Sequence, residues 1–350
     1  MFADNPKSKG RKLRGKFSER SKKGRGRYSD STKKKFQDPA QQHRISVFQD
    51  TVEYLNMEIK PQYLGKRFEK ESYLLTFEEI DEKFDELIDL TKLTRHPLRV
   101  FVRNKDTLDG AYEVNKVLTN AMELTEKKKA LVGNNKVAES NLKKRESEET
   151  EKEEEESTTP KILVLNYASK FEPGGGVRSG KTAQEEELYR RTSYWLYLND
   201  YNKKQFYPLD DNQMIQTEDV LVIKKKNYSK LLEPEQKSFD FLALPSIRHP
   251  GIYTDKENDE RFSRDEDYEL AQSKINSIFK LALIDGYDAL VLGAWGCGAY
   301  GNPVPDILDI WTEAIETYGM YFKCLYFTVL SSDKNDNYIS FKKLEQITEN

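Results

Sequence analysis

The sequence predicts an α/β layered domain over residues 44–332. Three observations carry this. Four short apolar runs of buried-strand type, "KILVLNYA" (161–168), "FDFLALPS" (239–246), "ALVLGAW" (289–295) and "KCLYFTVL" (323–330), are separated by stretches with helical spacing of their apolar residues. Strands alternating with helices build layered α/β domains. Glycine-rich loops follow two of the runs, at the carboxyl ends of strands, where such sheets bind ligands. The densest charged tracts are confined to two places, so the net charge of −3 conceals large local imbalances.

The elements follow in order. Residues 1–43 form a basic arm, in which positions 1–40 hold 14 Lys or Arg against 4 Asp or Glu. Such a composition cannot bury a core and predicts disorder. Its charge is compatible with nucleic acid, an acidic protein, a nuclear import signal or a merely solvated tail. A helix is predicted at 44–59, with Ile45, Phe48, Val52 and Leu55 on one face, and a second apolar-periodic stretch at 76–93. "LRVFVRNKD" (98–106) reads as a strand and 107–124 as a helix. Residues 126–160, with eight Glu between 146 and 156, read as a flexible acidic insertion in the domain.

After the strand at 161–168 and its glycine-rich loop, a helix carries Leu188, Trp195 and Leu196 inward. "DVLVIKKK" (219–226) and 239–246 are strands. A helix at 267–285 presents Ala271, Ile275, Ile278, Phe279 and Ala282, and Gly286 stops it. Beyond the strand at 289–295 and "GCGAYGNP", Pro305 opens a helix with Ile307, Leu308, Trp311 and Ile315 inward. The strand at 323–330 closes the domain, and 333–350 reads as a C-terminal tail.

Several function classes drop out. No apolar run approaches the roughly 18 residues of a membrane span. The start "MFADNPKSKGRKLRGKF" has no apolar signal core, so an intracellular protein of nucleus or cytoplasm is expected, with no membrane partner. Cys297 and Cys324 are the only cysteines, and His43, His96 and His249 are scattered, so neither a disulfide framework nor a metal site is expected.

The stretch "PGGGVRSGKTAQEEEL" (173–188) has two readings. Gly175 to Thr182 spells G-x-x-x-x-G-K-T, the phosphate-cradling loop of nucleotide triphosphatases. Gly174 to Glu186 spells three glycines, seven residues, then Gln-Glu-Glu. The first reading suffers from spacing, because Ser169 to Gly174 stand between the strand and the first glycine. It also lacks a magnesium-organising Asp at the end of "FDFLALPS" or "ALVLGAWG". The second places paired carboxylates in a helix's first turn. Thr182 and Glu185 form T-x-x-E, which predicts a capping box and a helix start at Thr182. Acidic residues there are also what a helix dipole favours without any function. "LGAWGCGAYGN" (292–302) adds a second glycine-rich strand end, at which backbone N–H groups can approach a diphosphate.

With both segments in view, the chain resembles the poly(ADP-ribose) glycohydrolase catalytic domain, a branch of the macrodomain fold, in its microbial-type form. Gly174–Gly176 followed by Gln184–Glu186 matches that family's GGG and QEE element. "LVLNYASKFEPGGG", "LGAWGCGAYGN" and "VFVRNKDTLDGA" (100–111) are similar to further family segments, so the resemblance covers 44–332 apart from 126–160. It implies a three-layer α/β/α macrodomain-like mixed sheet with an N-terminal helical extension. It also implies a hydrolase that cleaves the O-glycosidic bond of poly(ADP-ribose) or of protein-linked ADP-ribose, with no cofactor and no metal. Carried over, Glu186 is the catalytic acid/base and Glu185 holds ribose hydroxyls. Gln184 and Asn166 shape the pocket, and Gly174, Gly175 and Gly176 pack against the reacting ribose. Gly296, Cys297, Gly298 and Ala299 form the diphosphate loop. Tyr300 stands where the family typically has Phe, and Asp106 lies toward the adenine. A non-catalytic ADP-ribose reader is the alternative of a different class.

Overall fold

The structure, a computed structural model, describes residues 38–63, 72–140, 159–199, 203–330 and 337–347. The basic arm up to residue 37 and the acidic tract 141–158 lie outside the described residues, whereas 39–43, expected to belong to the arm, are the first turn of a helix that starts at Pro39 because Asp38 caps it.

Nine strands occur among them: β1 (Ser72–Thr76), β2 (Val100–Arg103), β3 (Ile162–Asn166), β4 (Gln213–Leu221), β5 (Ser238–Ala243), β6 (Ile252–Thr254), β7 (Glu260–Phe262), β8 (Ala289–Gly293) and β9 (Cys324–Thr328). Seven form one mixed sheet in the order β1-β4-β5-β3-β8-β9-β2. From β5 to β2 every neighbour is parallel, and β4 runs antiparallel to both β1 and β5. β6 and β7 make a separate antiparallel hairpin.

Both faces of the sheet are covered, which is why the central strands read as unbroken apolar runs. Leu163 and Leu165 of β3, with Leu290 and Leu292 of β8, point into one core. That core is closed by α3 (Phe77–Leu87), α8 (Asp265–Ile284) and α9 (Val304–Tyr318). Ile162 and Val164, with Ala289 and Val291, point into the other. It is closed by α1 (Pro39–Tyr54), α4 (Thr107–Ser140), α5 (Gln184–Arg191) and the short α6 (Tyr194–Tyr197). The α/β/α architecture with an N-terminal helix is the one expected. Among the described residues no helix is long and apolar enough to cross a membrane.

Four differences from the sequence-based expectation bear on the core and the site. The helix predicted at 107–124 continues to Ser140, so the first part of the supposed insertion is helical. The strand expected at 219–226 lies earlier, at 213–221, with its register broken between Thr217 and Val220. Its polar residues conceal it: Gln216 is buried because its side chain donates to Asp285 Oδ2 at 2.6 Å and to the Tyr287 hydroxyl at 3.0 Å. The predicted capping box of Thr182 and Glu185 does not form. Ala183 is the N-cap of α5, with no side-chain cap, because the Glu185 carboxylate is taken by other backbone donors.

The fourth is the supposed tail, of which 337–347 belongs to the core. Phe341 and Leu344 are buried there, and Glu345 accepts from Val102 N at 2.7 Å and Arg103 Nη1 at 2.6 Å.

Candidate active site

β3 and β8 are neighbours, and both glycine-rich loops leave their carboxyl ends on the same side of the sheet. The start of α4 and the residues after β5 reach the same edge. Between them lies a cleft of about 780 Å³.

The loop from β3 to α5 works as a holder for two carboxylates. Ser169 N donates to Glu185 Oε2 at 2.7 Å, and Gly174 N donates to Glu185 Oε1 at 3.1 Å. Gly176 N donates to Glu186 Oε1 at 2.8 Å. Both glutamates are almost fully buried yet line the cleft. Burial pushes the Glu185 carboxyl up to about 8; the Glu186 charge adds to this, while the Ser169 and Gly174 N–H groups oppose it. Gly175 has φ 50°, and a Cβ there would stand 2.9 Å from Glu185 Oε2 and 3.0 Å from Glu186 Oε1. Only glycine allows the loop to approach both acids this closely.

Gln184 fixes the loop to the strand that precedes it. Its Oε1 accepts from Tyr167 N at 2.9 Å, and its Nε2 donates to Leu165 O at 2.7 Å and to Thr107 Oγ1 at 3.2 Å. The amide therefore joins β3, α4 and α5, and its direct partners are protein groups.

The phosphate-loop reading fails on the backbone. The N–H groups of Gly175, Gly176, Val177, Ser179, Gly180 and Lys181 all donate to acceptors within the protein. A loop that cradles phosphate has to aim such groups at its ligand.

The loop after β8 is the opposite case. Among the described residues no acceptor pairs with the N–H of Gly298, Ala299 or Tyr300. Gly298 and Ala299 are exposed, and both line the cleft with Tyr300 and Gly296. This is a set of backbone donors open to an anion. Burial raises the Tyr300 phenol, and the Glu185 charge adds to it.

Three expected contacts fall behind the wall rather than on it. Cys297 is buried: its N–H donates to Ala294 O at 3.2 Å, its carbonyl accepts from Asn337 Nδ2 at 3.1 Å, and its thiol faces Trp295 O at 3.6 Å. Asn166 is buried, and its Nδ2 donates to the Tyr194 hydroxyl at 3.4 Å. Gly174 lies against Tyr189, where a Cβ would meet the ring at 2.8 Å. Asp106 is on the wall but engaged. It caps α4 through Asp109 N at 3.0 Å and pairs with Arg191 Nη1 at 3.0 Å. Tyr167, Arg191 and Arg248 also line the cleft; none was named individually from the sequence, although Arg248 lies in the segment 244–262, which resembles a pocket-flanking loop. Tyr167 and Arg248 each follow a parallel strand within a few residues, which was the available signal. Arg191 carried none, being one of two adjacent arginines. Among the described residues no three His, Cys, Asp or Glu are grouped as a metal would need.

Fold and cleft together define a macrodomain-like α/β/α domain with a pair of buried carboxylates opposite a loop of open backbone donors. The sequence profile of the microbial-type PARG catalytic domain, PARG being poly(ADP-ribose) glycohydrolase, matches residues 5–225. This chain belongs to that family of hydrolases. The match begins inside the basic arm, which the sequence resemblance had left out, and ends before the loop at 296–300. Solved structures repeat the fold. The glycohydrolase of Thermomonospora curvata is 20% identical, covers 87% of this chain and 99% of its own, and has a TM-score of 0.59. Its complex with the inhibitor ADP-HPD gives 18%, 86%, 99% and 0.57. The Deinococcus radiodurans glycohydrolase in complex with ADP-ribose gives 16%, 79%, 94% and 0.56. A comparison with curated proteins finds no match.

Proposed function

We propose that this glycohydrolase cleaves the glycosidic bond between ADP-ribose units, with Glu186 as the acid/base. The observation that carries this reading is the asymmetry of the Glu186 carboxylate. Oε1 is held by Gly176 N at 2.8 Å, whereas Oε2 is buried and, among the described residues, has no partner. A buried, unpaired oxygen is costly unless something else completes it. A ribose oxygen or a water in the cleft supplies that partner.

Protonated Glu186 gives its proton to the leaving ribose oxygen as the bond to the anomeric carbon breaks. The charge left behind is oxocarbenium-like, and the Glu186 carboxylate, ionised once it has given up its proton, favours it. Water then adds to the anomeric carbon and returns a proton to Glu186. Glu185 keeps free lone pairs beside its two backbone donors and can accept ribose hydroxyls. The open N–H groups of Gly298, Ala299 and Tyr300 are the donors that would receive the diphosphate of ADP-ribose, the ligand of the Deinococcus complex. Arg248, also on the wall, is a nearby positive charge.

Incubation with labelled poly(ADP-ribose) and with mono-ADP-ribosylated protein, followed by product separation, tests this. Release of ADP-ribose from the polymer supports the reading. Tight ADP-ribose binding with no release from either substrate replaces it with a non-catalytic reader.

A further inference from the structure

We infer that helix α1 is a splint for the active site, in which Gln41 and Arg44 act as positioning residues for the two catalytic-loop carboxylates. This rests on the glycohydrolase reading of the cleft. The helix packs against both the loop at 179–180 and the end of α5. At one end, Gln41 Nε2 donates to Ser179 O at 2.7 Å and Arg44 Nε donates to Gly180 O at 2.7 Å. These carbonyls belong to the loop whose N–H groups at Ser169, Gly174 and Gly176 hold Glu185 and Glu186. Further along, Thr51 Oγ1 donates to Arg190 O at 2.7 Å, near the end of α5.

The contact is built for closeness. Gly180 has φ 72°, and a Cβ there would stand 2.6 Å from Gln41 O. Any other residue would push helix and loop apart. The helix is itself anchored from below. Lys224 is buried, and its Nζ reaches Asp50 Oδ2 at 2.5 Å and Thr51 Oγ1 at 2.7 Å. The loop is gripped from two further sides: Arg178 lies over the Trp195 ring at 4.8 Å, and Arg190 donates to Lys181 O.

Neither Gln41 nor Arg44 lines the cleft. Their effect passes through the loop backbone to Gly174 N and Gly176 N. Loosening the far end of the loop lets those donors drift from the carboxylates, and small displacements at a reacting centre cost rate more than binding.

The test uses the full chain with Arg44→Ala, Arg44→Lys and Gln41→Ala, and has two arms. Amide exchange of Gly174 and Gly176, read by NMR, reports the loop whatever the chemistry. It is expected to accelerate about tenfold in Arg44→Ala while β3 and β8 amides stay protected. Turnover of ADP-ribose polymer is expected to fall about tenfold in kcat with KM within about twofold, to recover at least half in Arg44→Lys, and to fall less in Gln41→Ala. Unchanged exchange at Gly174 and Gly176 in folded Arg44→Ala overturns the splint, as does wild-type kcat per folded molecule. If Arg44→Ala does not fold, Gln41→Ala decides by the same two criteria. A wild-type chain that lacks polymer hydrolysis overturns the glycohydrolase reading alone, because the exchange arm still decides the splint.

Discussion

Gly176 holds Glu186 by a backbone hydrogen bond of 2.8 Å, and among the described residues the second carboxylate oxygen has no partner. Gly174 and Ser169 hold both oxygens of Glu185. Two adjacent glutamates on one helical turn are thereby made chemically unequal. One is fixed as a fitting of the loop. The other is held by one oxygen alone.

Glu186→Gln is therefore expected to keep the fold and ADP-ribose binding, and to lose hydrolysis by about 10²–10⁴-fold, the usual worth of general acid–base catalysis. The amide oxygen still accepts from Gly176 N, but the group can neither give nor take the proton. Single-turnover hydrolysis with calorimetric titration of ADP-ribose checks this. Near wild-type turnover would remove Glu186 from the acid/base role.

The raised Glu185 carboxyl makes a statement about stability. Its value in the folded chain, about 8, lies above the ordinary 4.5. Between these values the folded state binds the proton that the unfolded chain has lost. The contribution is thus fully present below pH 4.5 and is lost as pH rises through 8. Glu185→Gln has no such proton. The wild type is expected to lose more of its Tm than the variant as pH rises from 5 to 8, a window set by the values above. Parallel Tm profiles for the two would show that Glu185 does not titrate in that window.

Much of this was legible in the sequence because the central strands are buried on both faces and so are apolar throughout. The paired glutamates and the two glycine-rich loops could be placed at one end of the sheet for the same reason. What stayed hidden is polar or distant. β4 conceals Gln216 behind a buried hydrogen-bond network, and its polar "QTED" does not read as a strand. The local T-x-x-E signal misled because Glu185 serves two tertiary donors that no local pattern reveals. The grip of Gln41 and Arg44 on residues 179–180 spans well over a hundred positions. Residues 337–347 are a short run cut off from the last central strand by the polar sequence SSDKND (331–336), so they read as a tail although Phe341 and Leu344 fill the core.

That last segment yields its own expectation. Phe341 is fully buried against Phe327, with ring centroids 6.2 Å apart. Phe341→Ala is expected to destabilise the domain by about 3–5 kcal/mol, through lost transfer energy and the cavity left behind. Urea denaturation measures it. A change below about 1 kcal/mol, the scale of a surface substitution, would show the segment to be merely apposed.

The two glycines of the donor loop are expected to fail in different ways. Gly296 has φ 78°, and a Cβ there would meet Asn302 Cγ at 2.8 Å. Gly296→Ala should therefore cost stability, about 1–3 kcal/mol for the left-handed backbone, and binding with it. Gly298 is exposed, its backbone is outside the left-handed region, and a Cβ there meets nothing within 4 Å. Gly298→Val should fold as the wild type does. Its branched side chain would stand at the open N–H groups of Gly298, Ala299 and Tyr300, so ADP-ribose affinity should fall at least tenfold, the equivalent of about 1.4 kcal/mol. Thermal melts and calorimetric titration of both variants separate the effects. A folded Gly298→Val protein with wild-type affinity would mean that the diphosphate is received elsewhere in the cleft, and equal loss of Tm in both variants would mean that the loop's role is structural.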